Sequence, residues 1–364
     1  MKRVVCIADD ILSPLGEGTE ANFRAALRGE SALRLYDGMF GVSEPFVASL
    51  FERARYLLPG HSFFDSILIA SARRAVERAG IDPASPRSAV VVSSIKGNIE
   101  AIGREDVSLA ASARALSEAL GNPHPPLVVS NACISGLAAL VQARRMLLSG
   151  RYDHVIVAGA EVQSRFIVTG FQSLKALSPE RCRPFDEQRL GLNLGEAAAT
   201  LVLGLREDGW EIVDGAVRND ANHISGPSRT GEGSYKSLRY VLRGVDPGEL
   251  AFVNVHGTAT LYNDEMEAVA LQRAGLLDVP VNALKGCFGH TMGAAGILES
   301  ILSMKAVDEG VVLPTPGFGT LGVSAPVKVS SEVRKTSGRS FVKLLSDFGG
   351  VNGALLLRKG GEAC

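Results

Sequence analysis

Short β-branched runs alternate with amphipathic segments along the chain, and this alternation limits the possible folds more than any other feature. "RVVCIA" (3–8) and "SAVVVSS" (88–94) are typical of strands, whereas residues 19–27 and 64–79 have helical periodicity. Strands that alternate with helices in this way are typical of stacked α/β layers. The sequence therefore predicts an α/β fold.

The same order of elements occurs twice. In the first passage, "PPLVVSNA" is predicted as a buried strand, "SGLAALVQARRMLLSG" as a helix closed by Gly150, and "HVIVAGAE" as the next strand. In the second, "FVNVHG" predicts a strand, "NDEMEAVALQRAG" a helix, "GHTMGAAGILESILSMKAVDEG" a turn entering a helix, and "RSFVKLLSDFGGVNGALLL" a strand pair. The repetition is weak evidence for an internal duplication. No linker separates the halves, so we expect them to share one core.

Composition excludes several classes of protein. The 364 residues are 46% apolar and 21% charged, which is globular composition, and a net charge of -1 gives no reason to expect a nucleic-acid or membrane-surface partner. The opening "MKRVVCIADD" meets two aspartates too soon for a signal peptide, and no stretch is long and apolar enough to span a bilayer. These features favour a cytoplasmic protein.

The cysteines are odd in number and never spaced as C-x-x-C. This pattern indicates neither a disulfide framework nor a structural zinc site, and it suits a reducing compartment. The five residues are Cys6, Cys133, Cys182, Cys287 and Cys364.

Cys133 lies between a β-branched run and an Ala/Gly-rich helix. A sulfur at a helix start is close to unsatisfied N–H groups and to the positive end of the helix dipole, which favours a thiolate nucleophile. A free cysteine is equally at home in a core, where it behaves as a small hydrophobe. Position alone leaves both interpretations open.

Two of the six histidines lie where α/β folds collect ligands. His256 ends an apolar strand at a Gly/Thr turn, and His290 lies in a Gly-rich turn before a helix. That turn, "GHTMGAAG", has neither the P-loop pattern nor G-x-G-x-x-G, so no nucleotide cofactor is predicted. No H-E-x-x-H or similar spacing indicates a catalytic metal.

Taken together, "NACISG", "VHGTAT", "LKGCFGHTMGAAG" and "DFGGVN" resemble, in this order, the signature blocks of the β-ketoacyl-[acyl carrier protein] synthases of the thiolase superfamily, in the elongating type with two histidines. "RPFDEQRLGLNLGEAAA" also resembles a segment of that family, and the resemblance covers essentially the whole chain. It implies a thiolase-like fold with two similar βαβαβ-type halves in a five-layered α-β-α-β-α architecture. The halves would be residues 1–208, with the cysteine, and 209–364, with both histidines.

The resemblance also implies roles for individual residues. Cys133 would take an acyl chain from a carrier-protein thioester, and His256 and His290 would promote decarboxylation of malonyl-carrier protein. Lys285 would hold the local geometry, with Glu267 as its ion-pair partner.

Further residues would shape the acyl site. Phe348 would gate the acyl channel, and its N–H and that of Cys133 would form the oxyanion hole. Thr258 and Thr260 would bind the phosphopantetheine arm. Ile134 departs from the commoner Ser or Ala and would reshape the pocket, and Asp347 stands where glycine often allows the gating loop to move.

The expected activity is a decarboxylative Claisen condensation of an acyl thioester with malonyl-carrier protein, in fatty-acid or polyketide/polyene biosynthesis, without a resident cofactor. The partners would be an acyl carrier protein and a second subunit, in a homodimer or in a heterodimer with a ketosynthase-like chain. The alternative is a non-catalytic subunit like the chain-length factors, which typically lack the cysteine. A non-decarboxylating thiolase would need a second cysteine near the end, and "SDFGGVNG" has none.

Overall fold

The computed structural model describes residues 2–104, 106–223 and 226–361. Cys364 lies outside the described residues. The strands are β1 (Arg3–Ser13), β2 (Gly16–Glu17), β3 (Arg34–Tyr36), β4 (Phe46–Ser49), β5 (Ser88–Ser93), β6 (Leu127–Val129), β7 (His154–Glu161), β8 (Leu194–Gly195), β9 (Ala197–Arg206), β10 (Trp210–Asn219), β11 (Leu250–Asn254), β12 (Pro280–Asn282), β13 (Val311–Val312), β14 (Lys328–Val329), β15 (Arg334–Lys335), β16 (Ser340–Ser346) and β17 (Val351–Lys359).

In the described part of the chain, the α-helices include all those predicted from the sequence periodicity, together with four that were not predicted. They are α1 (Thr19–Leu27), α2 (Phe63–Ala79), α3 (Leu109–Ala119), α4 (Ser135–Leu148), α5 (Arg165–Ser173), α6 (Glu232–Val241), α7 (Leu261–Arg273), α8 (Lys285–Phe288) and α9 (Ala295–Asp308). The helices that were not predicted are α3, α5, α6 and α8. Ser62 and Ser108 cap α2 and α3 through their side-chain oxygens, which satisfies free N–H groups at the helix starts. Among the described residues, none of the helices has the length and hydropathy needed to cross a bilayer.

The main sheet has the same strand pattern in each half. Its order is β14, β12, β11, β16, β17, β10, β1, β9, β7, β5, β6, with β2 paired to β1. β5 pairs parallel with β6 and β7, and β7, β9 and β1 then pair antiparallel. In the second half, β11 pairs parallel with β12 and β16, and β16, β17 and β10 pair antiparallel. The β1–β10 pair joins the halves. The repetition of the same pairing pattern in both halves supports the predicted duplication.

Helices separate and cover the two half-sheets. α4 and α9 pack on each other and contact strands of both halves, α2 and α3 pack on the first half-sheet, and α6 packs on the second half-sheet and on α7. Within the described chain, three separate apolar cores fill the spaces between these helices and the sheet. The arrangement is a five-layered α-β-α-β-α stack, and the thiolase-like architecture predicted from the sequence is confirmed.

β6 differs from its prediction. "PPLVVSNA" was expected to be a buried strand, but β6 has only three residues and lies at the end of the sheet order. Leu127 is exposed, and Val128 and Val129 are only half-buried. The prediction was wrong because an apolar run does not reveal whether its strand lies at the centre or at the edge of a sheet.

The crossing of α4 and α9 depends on glycine. A Cβ on Gly296 would lie 2.2 Å from the backbone nitrogen of Leu137, and a Cβ on Gly136 would lie 2.9 Å from the carbonyl oxygen of Gly293. Since both obstacles are backbone atoms, the two helices would have to separate to admit a side chain.

We therefore expect Gly296→Ala to lower the free energy of unfolding by about 1–3 kcal/mol, measured by urea denaturation. The matched control is Gly170→Ala in α5, where a Cβ would meet nothing within 4 Å. That change is expected to raise stability by up to about 1 kcal/mol. Equal effects of the two substitutions would contradict the close approach of α4 and α9.

Candidate active site

Cys133 is held in a tight turn between β6 and α4. Ala132 adopts φ 40°, a left-handed conformation that is uncommon for a residue other than glycine. The N–H groups of Ile134 and Ser135 donate to the carbonyls of Asn131 (3.2 Å) and Ala132 (3.1 Å). The Ser135 hydroxyl accepts from the Asn131 N–H at 2.8 Å and donates to the Ala132 carbonyl at 2.6 Å. These bonds fix the cysteine just before the helix begins.

The two histidines come from the other half of the chain. His256 follows β11, and His290 lies between α8 and α9. Cys133 Sγ and one ring nitrogen of each histidine all lie within 4.8 Å of one another. The imidazole centroids are 5.0 Å apart with their planes at 79°, and all three side chains are buried. The structure thus brings together the three residues that the sequence singled out.

The tautomer of His290 follows from its hydrogen bond. Its Nδ1 accepts from the Met292 N–H at 3.2 Å, so in the neutral ring Nε2 carries the proton. Nε2 is buried and has no partner among the described residues. Burial holds the pKa of both His256 and His290 well below the ordinary value, and the charge of Lys285 adds to this effect. His290 therefore offers a neutral N–H donor at the site.

A cleft of about 300 Å³ leads to these three residues. Thr258 and Thr260 line it, and their hydroxyl oxygens are 2.9 Å apart. Phe348 lies at the opening, 37% exposed, with its ring centroid 6.0 Å from that of Phe171. Half of the remaining lining residues are apolar: Leu174, Ala176, Leu190, Leu192, Pro227 and Leu261. Such a wall suits an acyl chain, and the two hydroxyls suit a polar carrier arm.

A buried cluster of three charges underlies His256. Lys285 Nζ lies 2.9 Å from Glu299 Oε1, and Lys343 Nζ is bonded to Glu299 Oε2. Lys285 Nζ also donates to the carbonyl of His256 at 2.6 Å, and Lys343 Nζ to that of Val255 at 3.1 Å. The cluster therefore holds the strand end that carries the histidine.

The pKa values within the cluster follow from burial and pairing. Burial acts to raise the pKa of Glu299, but the two ammonium groups outweigh it and hold that pKa below its usual value. Burial lowers the pKa of Lys343 to about 8. Two ammonium groups on one carboxylate leave a positive field beneath the site, which disfavours protonation of the imidazoles.

A thiol and two imidazoles at this spacing are also donors that a soft metal ion accepts. Metal ligation at His290 Nε2 would require that nitrogen to lose its proton, but the Met292 N–H already occupies Nδ1. The donor form of His290 suits an oxygen acceptor better than a cation.

Comparison with known proteins places this geometry in a family. The chain matches the Beta-ketoacyl synthase N-terminal domain over residues 46–208 and the Beta-ketoacyl synthase C-terminal domain over residues 210–319. The chain belongs to the β-ketoacyl synthase family. A curated relative, the 3-oxoacyl-[acyl-carrier-protein] synthase 2 of Rhizobium meliloti (strain 1021), is 28% identical over 99% of each chain.

Two solved structures are similar to this synthase over nearly its whole length. The ishigamide ketosynthase/chain length factor is 25% identical with a TM-score of 0.90, covering 99% of this chain and 100% of that chain. A β-ketoacyl synthase from Burkholderia phymatum STM815 is 25% identical with a TM-score of 0.88 and the same coverage. The condensing-enzyme family suggested by the sequence motifs is therefore confirmed.

Glu267 does not pair with Lys285 in this synthase, so that prediction was wrong. Its carboxylate accepts from the N–H groups of His256 at 2.6 Å and Gly257 at 2.7 Å, and from Asn263 at 3.0 Å. The carboxylate is thus used to hold the turn after β11, and Glu299 pairs with the lysine instead. Burial raises the pKa of Glu267 to about 7.

The resting state of Cys133 also differs from the expectation of a thiolate. Burial raises its pKa to about 12, the carboxylate of Asp347 adds to the effect, and Lys285 opposes it only in part. Desolvation of the sulfur outweighs the benefit of a helix start. The synthase therefore holds a protonated thiol beside neutral imidazoles.

Ile134 lies apart from the cleft. It is fully buried in the core around α4 and α9 and is not among the residues that line the cleft. In the described chain its side chain packs the base of α4 and does not form part of the pocket wall.

Glu299 and Lys343 were missed by the sequence analysis. Each is a single charge inside an apolar segment, "AAGILESILSM" for the glutamate and "SFVKLLS" for the lysine. Because charged side chains are almost never fully buried unless paired, two opposite charges in such segments could have been matched.

Glu299→Gln tests the cluster. The substitution leaves two buried ammonium groups without a counter-charge, so we expect a loss of about 3–5 kcal/mol in the free energy of unfolding, measured by chemical denaturation at pH 7. Glu44→Gln, at an exposed position, removes the same charge and is expected to change stability by less than about 0.5 kcal/mol. A similarly small change for Glu299→Gln would contradict the structural role of the cluster.

Proposed function

We propose that this synthase joins an acyl group held on Cys133 to a malonyl group carried by an acyl carrier protein, with loss of carbon dioxide. The observation that carries the proposal is the meeting of one thiol and two neutral imidazoles within 4.8 Å at the base of an apolar cleft. The match to the β-ketoacyl synthase family supports the same reaction class.

The first half-reaction loads the enzyme. Cys133 Sγ attacks the carbonyl carbon of an acyl thioester, a new S–C bond forms, and the bond to the carrier thiol breaks. The proton of the Cys133 thiol passes through the neutral imidazole of His256 to the departing thiolate, because Nδ1 of His290 accepts from the Met292 N–H and its Nε2 already carries a proton. The imidazole is needed because a thiol with a pKa of about 12 is only slightly ionised at neutral pH.

The second half-reaction forms the carbon–carbon bond. The malonyl carboxylate leaves as carbon dioxide, and its bonding electrons pass to the adjacent carbon as an enolate whose oxygen accepts hydrogen bonds. His290 Nε2–H is a buried donor for that oxygen, and His256 is its neighbour. The enolate carbon then attacks the acyl carbon on Cys133, a C–C bond forms and the S–C bond breaks. The departing thiolate takes a proton from solvent, which replaces the one given up in the first half-reaction.

Partners follow from the same proposal. The curated relative acts, by its name, on an acyl carrier protein, and Thr258 and Thr260 offer hydroxyls for the phosphopantetheine arm in the cleft. The exposed edge strand β6 offers unpaired backbone groups to a second subunit. The likeness to a ketosynthase/chain length factor supports a heterodimer with this chain as the active half, beside the homodimer.

We also propose a cytoplasmic enzyme without a resident cofactor. Cys6, Cys133, Cys182 and Cys287 are free thiols, which suits a reducing compartment. The thiol and imidazoles supply the nucleophile, proton carriers and hydrogen-bond donors that the reaction needs. A division into halves 1–208 and 209–364 stays a prediction, supported by the repeated strand order.

Intact-mass measurement tests the function. The wild-type chain is incubated with a panel of acyl-carrier proteins and then with malonyl-carrier protein. We expect an acyl adduct that malonyl-carrier protein discharges as a ketoacyl product. Cys133→Ala is expected to give no adduct, because it lacks the nucleophile.

His290→Ala separates the two half-reactions. It is expected to keep the acyl adduct but to lose about 100-fold or more in product formation, since the enolate loses a donor. The proposal would be contradicted if the wild-type chain formed no acyl adduct with any carrier-protein donor. The experiment is made with the chain alone and with candidate partner subunits, and native mass measurement establishes whether the two subunits form a complex.

A further inference from the structure

One carboxylate in the cleft is assigned no chemical step in the proposed condensation. Asp347 lies at the tip of the hairpin between β16 and β17 and lines the same cleft as Cys133, His256 and His290. A negative side chain in the same cleft as a nucleophilic sulfur alters the free energy of charged species that form or bind there.

The hairpin holds this carboxylate in place. The Asp347 N–H donates to the Val351 carbonyl at 3.0 Å, and the Val351 N–H donates to Asp347 Oδ1 at 2.8 Å. Gly349 and Gly350 have φ values of 110° and 80°, which glycine adopts without strain and which close the turn between β16 and β17. The second oxygen, Oδ2, is buried and has no hydrogen-bond partner among the described residues.

The charge of Asp347 is felt at Cys133 and depends on pH. Burial raises the pKa of Asp347 to about 7, and the negative charge of Asp220 adds to this. The Asp347 charge is in turn a cause of the raised pKa of the Cys133 thiol.

Other charged and titratable groups face the same region. His256 and His290 are neutral, and Lys175 lines the cleft. Lys285, Lys343 and Glu299 form the cluster beneath His256, and Glu161 and Glu267 have pKa values that burial raises to about 7.

We propose that the Asp347 carboxylate is a charge filter for Cys133. In its ionised form the Asp347 carboxylate repels any other negative charge at Cys133 Sγ, either the thiolate itself or an anionic acyl group. Neutral acyl groups are not repelled. The inference rests on the proposed function and names the substrate class that Cys133 selects. It has a use in a condensation of two acyl groups, because the anionic malonyl group would be kept from the sulfur that must carry the neutral chain.

Two alkylating reagents of similar size but different charge test the filter. Iodoacetamide is neutral and iodoacetate is an anion; each forms an S–C bond to Cys133 with loss of iodide. Both reagents react with the Cys133 thiolate, so both rates depend equally on the fraction of Cys133 that is ionised. That fraction cancels in the ratio of the two rates, and the ratio therefore reports the electrostatic effect of nearby charges on an anionic reagent. The adduct on the Cys133 peptide is followed by mass spectrometry between pH 6 and pH 8.

In the wild-type chain, the ratio of iodoacetate to iodoacetamide rates is expected to fall as pH rises through about 7, where Asp347 ionises. Asp347→Asn is expected to raise that ratio roughly threefold to tenfold at pH 8 and to match wild type at pH 6. Lys343, Glu161 and Glu267 titrate in or near this range in both proteins, so the difference between the proteins isolates Asp347.

Three variants complete the test. Asp347→Glu keeps the charge and is expected to keep the wild-type pH profile. Asp347→Gly is a second neutral variant, used if the asparagine variant folds poorly. Glu44→Gln removes one charge at an exposed position outside the cleft and is expected to leave the ratio unchanged.

A folded neutral variant with the wild-type ratio at pH 8 would overturn the charge filter. The result is independent of the proposed function, because alkylation needs no carrier protein. If the rate ratio differs between wild type and the neutral variants as predicted but no condensation is observed, only the proposed function is refuted. If condensation is observed but the ratio is the same in wild type and in the neutral variants, only the charge filter is refuted.

Discussion

The buried pairing of Glu299 with Lys285 and Lys343 is the interaction on which the site most depends. The three residues belong to α9, α8 and β16, and the two ammonium groups also bind the carbonyls of Val255 and His256. Buried charges are costly unless they are paired and fully hydrogen-bonded. The cluster therefore restrains the ends of several elements at the point where His256 leaves its strand.

The same cluster contributes to the chemical state of the site. Burial of the rings, helped by the positive charges of the cluster, holds the pKa of both imidazoles well below its ordinary value and keeps them neutral. Burial also keeps Cys133 as a thiol at rest. A neutral, buried N–H is a strong donor to a developing oxyanion, whereas a buried thiol needs an imidazole to carry its proton. Burial thus strengthens the imidazole N–H as a hydrogen-bond donor, but it also means that Cys133 is not a thiolate before the substrate binds.

Local patterns predicted the elements well and the long-range pairs poorly. The expected helix at 19–27 and the strand "HVIVAGAE" have the predicted bounds because their periodicity is local. The partner of Lys285 was wrong because Glu299, 14 positions away, belongs to a different helix, and local periodicity does not encode how two helices pack. Lys343 was missed because it lies 44 positions from Glu299 and meets it only when α9 packs on β16. Whether β6 is buried likewise depends on its place at the sheet edge, which its own residues do not encode.

The central claim is that both histidines are held neutral by their surroundings and that His290 donates a hydrogen bond from Nε2. ¹⁵N NMR of the imidazole rings, assigned with single histidine variants, tests it most directly. The account predicts that His256 and His290 remain neutral from pH 6 to pH 8 and that His290 carries its proton on Nε2. A protonated imidazolium at pH 7, or a proton on Nδ1 of His290, would contradict it.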